Sequence, residues 1–482
     1  MTWLANADKA TFWAHQTWAD FAALPDKEKY SVILPLFALA DHGLGLPLDA
    51  EETAGSALLR AAVEQAKAVL PLRVLPPLRF GLAPYPSCFF GIDSETAHEL
   101  IREIASSVLA AGFKKLVFFN TSPWNEEFID VASRDTRVSL GLQTFVINLS
   151  GLDLDFHPSN TARNRIQSIV AHLLGQPPET VSRPGEISDV NFRPGVYRQP
   201  NPIAFDAKLD GSALVSQAST RLAGLLAEIH ARPTLGSRST PPAPMVLPPS
   251  AVAVAPRDRI FPAAYRTRYL PAMTRDRLDK LPNKERAIVL IATGAIEQHG
   301  PHLPVGVDAI MGQAWLNYAL AQLPADAPVY VAPAITFGKS NEHVGFPGTV
   351  WVSAKTLRRL LLALATQLKA LGFRTIAIIN THGGNSAVLV YTLREIQETL
   401  GIRAGMVSSG YRPDISDQER EYGFHAGEWE TSAMLEVTEG LVKMDKATSE
   451  FPAKITDPGE LRPENAPAIF SWITSDVSTS GV

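Results

Sequence analysis

One cysteine, Cys88, stands in 482 residues, so no disulfide can form within the chain and a reducing compartment, the cytoplasm, is expected. No apolar run reaches the roughly 18 residues that a membrane helix needs. Residues 1–8 lack the basic start and apolar core of a signal peptide. Neither sign of charge dominates: 44 Lys and Arg against 49 Asp and Glu give a net charge of -5. That leaves no electrostatic case for nucleic acid or an anionic membrane as partner. What remains is 46% hydrophobic and 19% charged, the composition of a soluble globular protein with room for about two or three domains.

The stretch Glu297-Gln298-His299-Gly300-Pro301-His302-Leu303-Pro304, running on to Asp308, concentrates the chemistry. It follows an apolar run over 287–292 that predicts a buried strand. Glu297 and His299 share one side of an extended backbone, because side chains alternate with period two. Gly300 and two prolines then turn the chain so that Asp308 can return to the same point. Carboxylate oxygens beside imidazole nitrogens suit Zn²⁺, Mn²⁺ or Fe²⁺. A lone histidine in a polar loop is more often a satisfied structural group. Here His382, His425 and Glu430 recur in two further polar segments, and the set together points to a metal site.

Leucines at helical spacing predict a helix over 355–371, followed by an apolar strand over 375–379 with His382 just past its end. Residues 95–111 and 115–119 repeat that arrangement. Strand, helix, strand order implies parallel strands with crossover helices, and such sheets carry their sites at the carboxyl ends of the strands. A further helix is expected over 212–231. The arginines of 256–268 read as a solvated entry segment rather than a nucleic-acid patch, since no aromatic stripe accompanies them.

The chain also repeats itself. Residues 17–25 and 32–51 align without a gap on 274–282 and 289–308, so that His42-Gly43 falls on His299-Gly300. Asn120-Thr121 and Asn125 then match Asn380-Thr381 and Asn385, and Phe156-His157 matches Phe424-His425. The copies differ at the polar positions: Glu297 becomes Ala40, Asp308 becomes Glu51, His382 becomes Ser122 and Glu430 becomes Ala162. One imidazole and a displaced carboxylate cannot fill a divalent coordination sphere. The N-terminal copy therefore reads as catalytically dead. Expected boundaries are 1–235 for this copy, 236–260 for a Pro-rich linker and 261–482 for the copy that keeps the ligands.

Four blocks in register resemble the creatininase (creatinine amidohydrolase) family. They are the 297–308 stretch, Gly338 to His343 with Phe346-Pro347-Gly348-Thr349, the turn Asn380-Thr381-His382-Gly383-Gly384-Asn385, and His425-Ala426-Gly427 with Glu430-Thr431-Ser432. The resemblance covers roughly residues 268–441, each block being a weak signal alone.

It implies an α/β fold of two tandem three-layer α/β/α domains with mainly parallel sheets. It also implies a dinuclear hydrolase in which Asp308 bridges two ions, Glu297 and His382 complete one, and His299 and Glu430 complete the other. A hydroxide between two cations would attack a C–N amide bond in a small, cyclic substrate. His425 is the first candidate to protonate the leaving nitrogen and Glu428 the second. His343 and Trp429 are candidate substrate-binding residues.

Creatininase proper resembles a turn with a carboxylate two residues after the histidine; this chain has Gly384 there, which puts creatinine itself in question. Formamide hydrolase, peptidase and keto-inositol hydrolase activities of the family remain open, as does a non-catalytic binding or assembly role. The family's hexamers imply a homo-oligomer, a trimer of tandem chains.

Overall fold

The computed structural model describes residues 8–42, 45–83, 88–156, 163–175, 209–233, 247, 263–408, 413–423, 425–452 and 471–482. Most of the 236–260 linker, together with His157, Ala162 and Phe424, lies outside them.

Two four-stranded parallel sheets share one topology. The first contains β1 (Ser31–Leu36), β2 (Leu72–Val74), β3 (Lys115–Asn120) and β4 (Gln143–Asn148), in the order β2-β1-β3-β4. The second contains β5 (Ile288–Thr293), β6 (Val329–Val331), β7 (Thr375–Asn380) and β8 (Arg403–Met406), in the order β6-β5-β7-β8. In both sheets the chain runs outward from the first strand and then returns past it. A crevice therefore opens between the first and third strands at their carboxyl ends, the topological switch point of an open α/β sheet.

Helices cover both faces. In the first half α1 (Ala50–Ala66), α4 (Arg163–Leu174) and α5 (Gly211–Ala231) pack together, while α2 (Ser94–Ala110) pairs with α3 (Glu126–Leu140). In the second half α6 (Val307–Gln322) packs on α9 (Glu428–Val437), and α7 (Ala354–Ala370) on α8 (Ser386–Leu400). The α7 helix forms as its sequence dictates. Ser353 caps its N-terminus by accepting from Thr356 N–H, and Leu357, Leu361, Leu364 and Leu368 face the core. No helix among the described residues is long and apolar enough to cross a membrane.

The halves grip each other reciprocally. Leu48 and Asp49 N–H groups donate to the Met273 and Pro271 carbonyls at 3.0 and 2.9 Å. Val305 and Gly306 N–H groups donate to the Gln16 and Ala14 carbonyls at 2.8 and 3.0 Å. The repeat places each pair on the other, so the contact is the isologous one of a two-fold dimer, built within one chain. Gln367, on α7, also exchanges hydrogen bonds with both the N–H and the carbonyl of Gly91. One buried apolar cluster runs through both halves.

One expectation is corrected. Arg268 is not a solvated entry residue: it is 5% exposed, and its guanidinium donates to the carbonyls of Pro324, Ala327 and Val329. Three carbonyls converge there because β6 begins beside them, and a buried guanidinium is stable only when its donors are satisfied in this way.

Candidate metal centre

The polar cluster sits at the switch point of the second sheet. Glu297 and His299 follow β5, Asp308 opens α6, His382 follows β7, and Glu430 lies in the first turn of α9. Local sequence fixes each approach. Thr381 Oγ donates to the Asp308 carbonyl at 2.8 Å, tying the His382 turn to the start of α6. Asn385 donates to Gly294 O and accepts from Lys339 N–H, which joins three loops through one amide side chain. Gly338 has no room for a side chain, since a Cβ there would lie 2.5 Å from Gly294 O.

Three triads result, and two of them share Asp308: Glu297, Asp308 and His382 form one, and His299, Asp308 and Glu430 the other. The third is Glu297, His299 and His425, and the ligand atoms of each lie within 4.8 Å of one another. His382 Nδ1 stands 3.1 Å from Glu297 Oε1 and 3.5 Å from Asp308 Oδ2. His299 Nε2 stands 3.5 Å from Asp308 Oδ1 and 3.8 Å from Glu430 Oε2. Asp308 thus turns a different oxygen toward each imidazole.

Both imidazoles have their other nitrogen occupied. His299 Nδ1 is 3.0 Å from the Glu297 carbonyl. His382 Nε2 is 3.0 Å from the Lys339 carbonyl and 3.5 Å from Glu342 Oε1. A carbonyl accepts, so the proton of each neutral ring sits on that side and leaves the lone pair aimed at the cluster, the arrangement of a metal-binding histidine.

Burial and charge set the electrostatics. Burial raises the Glu297 carboxyl to about 7, with Asp308 adding to the rise. Burial also raises Glu430, against the pull of His299. Burial by itself would depress His299, but Asp308 and Glu430 carry it up to about 10. His382 is likewise raised well above its usual value against burial, chiefly by Glu297. Glu297 Oε2, Asp308 Oδ2 and His299 Nε2 are buried with no hydrogen-bond partner. Orphaned buried oxygens beside a bare imidazole nitrogen are costly unless a cation satisfies them, so the residues present fit a divalent metal.

The remaining expected residues separate. His425 joins the cluster, its Nδ1 3.7 Å from Glu297 Oε1 and its Nε2 2.6 Å from the Gln298 carbonyl. Its ring lies 4.3 Å, centroid to centroid, from both His299 and His343. His343 is 2% exposed and braces the cluster: its Nε2 is 3.4 Å from Glu297 Oε1, and its Nδ1 is 2.8 Å from Thr474 Oγ. Burial depresses both rings well below the usual histidine range. Trp429 lies on α9 beside Trp315, 5.9 Å between centroids. Glu428 does not reach the cluster. It is exposed at the start of α9, where its carboxylate accepts from Ser416 N–H at 3.2 Å.

Two residues were given no role by the sequence. Gln298 lies 2.9 Å from His343 and 3.0 Å from His425 through its amide nitrogen. Its position between Glu297 and His299 was the available signal. Glu342 pairs with Lys339 at 2.9 Å and stands behind His382. Burial opposes its charge, but His382 and Lys339 hold its carboxyl down at about 2. Ala426, next to His425, takes φ 53, a costly conformation for a residue with a Cβ. That turn sends its N–H to Glu430 Oε2 at 2.5 Å.

The N-terminal half has closed the equivalent place. His42 Nε2 bonds Glu51 Oε1 at 2.9 Å, and Glu51 Oε2 accepts from Ala38 N–H and Thr121 Oγ. Among the described residues, every group able to hold a metal lies in the C-terminal half.

The creatininase family model, described as creatinine amidohydrolase, matches residues 14–173 and 271–482. A mycofactocin precursor peptide peptidase from Mycolicibacterium smegmatis is 35% identical over 161 residues, covering 33% of this chain and 61% of that protein. A creatinine amidohydrolase from Pseudomonas putida is 29% identical over 187 residues, covering 34% of this chain and 70% of that protein. The solved structure "Creatininase Mn" aligns with TM-score 0.36 and 23% identity, covering 44% of this chain and 86% of that one. The chain thus spans less than two thirds of the peptidase, while the family model accounts for most of its own length in two separate segments. The chain belongs to the creatininase family.

Proposed function

We propose that this protein is a metal-dependent hydrolase that cleaves a C–N amide bond in a small substrate. The observation that carries this reading is the pair of triads sharing Asp308. Glu297 and His382 would hold one divalent ion, His299 and Glu430 the other, with Asp308 between them. Zn²⁺, Mn²⁺ and Fe²⁺ all accept this mixture of donors. Divalent ions at such a site make water nucleophilic near neutral pH and polarise a carbonyl.

The chain's own groups then handle the protons. His425 donates Nε2–H to the Gln298 carbonyl, which leaves Nδ1 free to take a proton from the attacking water and return it to the departing nitrogen. Burial keeps the free ring neutral. His343 holds Glu297 in place, and Trp429 and Glu428 are left for contacts farther out on the substrate.

A linear peptide amide is favoured over creatinine. The relative of higher identity reported above is a peptidase, and Gly384 supplies no carboxylate at the turn. The N-terminal half, as residues 1–235, acts in this reading as a built-in dimer partner of the catalytic half, residues 261–482. Three chains would then assemble as a pseudo-hexamer, which light scattering would reveal as a trimer.

The test is elemental analysis of intact protein and of Glu297→Ala, alongside assays of peptide and cyclic amides. About two ions per chain, lost in the variant together with hydrolysis, supports the reading. A metal-free protein that hydrolyses nothing moves the weight to a binding role.

A further inference from the structure

Gln298 is fully buried between Glu297 and His299 in the chain, and its side-chain amide meets three groups. Its Oε1 accepts from Gly300 N–H at 3.0 Å. Its Nε2 lies 2.9 Å from His343 Nδ1 and 3.0 Å from His425 Nε2. Gly481 packs so closely on it that a Cβ there would lie 1.9 Å from Oε1, so the side chain has no room to leave this rotamer.

Counting donors and acceptors then fixes the protons. A backbone N–H can only donate. The amide must therefore turn Oε1 to Gly300, because the opposite orientation would set two donors 3.0 Å apart. The amide nitrogen on the other side can only donate as well. His343 Nδ1 accordingly accepts, and the one proton of that ring sits on Nε2. Thr474 Oγ, 2.8 Å from the same Nδ1, can turn its hydroxyl hydrogen the same way. His425 makes no claim on the amide, since its Nε2–H goes to the Gln298 carbonyl at 2.6 Å. His343 Nε2 stands 3.4 Å from Glu297 Oε1, whereas Glu297 Oε2 is buried with no hydrogen-bond partner. One oxygen is braced by an N–H and the other is left bare for a cation.

The other half supplies a contrast. The gapless repeat sets Asp41 on Gln298, and a carboxylate there accepts and cannot donate. Asp41 faces Arg275 at 3.4 Å. The donor is present in the half that keeps the ligand set.

We infer that Gln298 is a positioning residue for the metal centre: its amide holds His343 as the Nε2–H tautomer, and that ring holds Glu297 by Oε1. The purpose of this arrangement rests on the hydrolase reading, while the tautomer belongs to the metal-free chain. Gln298 acts through His343 and not on the substrate.

Nitrogen NMR of the metal-free full chain, carrying isotope-labelled histidine, reads which ring nitrogen is protonated, and His343→Gln assigns the signals by removing them. Wild-type His343 should carry its proton on Nε2. Gln298→Glu keeps the shape and the acceptor for Gly300 but replaces the donor by an acceptor, so the proton should move to Nδ1. The Nε2 lone pair then faces Glu297. Zinc affinity, read by chelator competition, should fall by about 10- to 100-fold, even though the new carboxylate adds negative charge. In the His343→Gln background an amide nitrogen replaces the ring N–H toward Glu297 whatever stands at 298, and the same change should cost about threefold or less. Gln298→Met, which adds no buried charge and also lacks the donor, enters the same cycle and should give the same contrast. Wild-type His343 protonated on Nδ1, or equal losses in the two backgrounds, overturns the inference. A wild type that shows the Nε2–H tautomer and binds no zinc overturns the hydrolase reading and leaves the tautomer standing.

Discussion

His42 and Glu51 are hydrogen-bonded directly at 2.9 Å, whereas the residues that replace them in the other half, His299 and Asp308, stand 3.5 Å apart with orphaned atoms between them. One extra methylene on the carboxylate side chain reaches the imidazole and fills the place where a cation would sit. His42→Ala should therefore leave metal content and turnover unchanged. It should lower stability by about 1–3 kcal/mol, because Glu51 loses a buried partner. His299→Ala should do the reverse: metal falls, while the fold is largely kept. Elemental analysis and urea unfolding of both variants separate the two outcomes.

Gly384 faces a similar constraint. A Cβ there would lie 1.9 Å from Glu342 Oε1 and 2.5 Å from His382 Nε2, so Gly384→Ala must displace the carboxylate, the imidazole or both. Metal affinity should fall by about 10- to 100-fold, the usual effect of disturbing the partner of a ligating histidine. Gly384→Ala/Glu342→Ala relieves the first clash but leaves those with His382 Nε2 and with the Lys339 carbonyl at 2.6 Å, so it should recover only a small part of the loss. Competitive metal titration reads both.

Metal binding should expel protons. His299, at about 10, holds a proton at pH 7.5 in the metal-free chain, and His382, Glu297 and Glu430 are raised in the same direction. Ligation requires the neutral ring and the ionised carboxylate, so at least one proton leaves per chain and affinity climbs with pH. Calorimetry in buffers of differing ionisation enthalpy counts them. Affinity independent of pH between 6 and 8 would contradict the assigned ligands.

Arg79 and Glu52 form a two-pronged pair at 2.8 and 2.7 Å, with side chains 4% and 7% exposed. Arg79→Ala leaves a buried carboxylate without its charge partner and should cost about 3–5 kcal/mol. Arg79→Met with Glu52→Leu removes both charges and should cost far less. Denaturant midpoints of the two proteins decide it.

Much of this was legible in residue order. Leucine spacing gave α7, the apolar run gave β7, and the gapless repeat gave the two like sheets. The roles of Glu342 and Gln298 were not legible, although both lie inside recognised motifs. Glu342 matters because Gly384 leaves it room, and Gln298 because His343 and His425 arrive on its amide from 45 and 127 residues away. Arg268 was misread for the same reason, since the carbonyls that bury it come from 324–329.

By itself the sequence determined that an α/β unit occurs twice and that the second copy alone keeps a full set of ligand types, because periodicity and residue chemistry are local properties. Only the tertiary structure decided which oxygen of Asp308 meets which imidazole, how each half grips the other, and that Glu450 ties residues 478–480 down by five hydrogen bonds. Those depend on contacts between residues far apart in the chain, whose geometry is set when the sheets and loops pack.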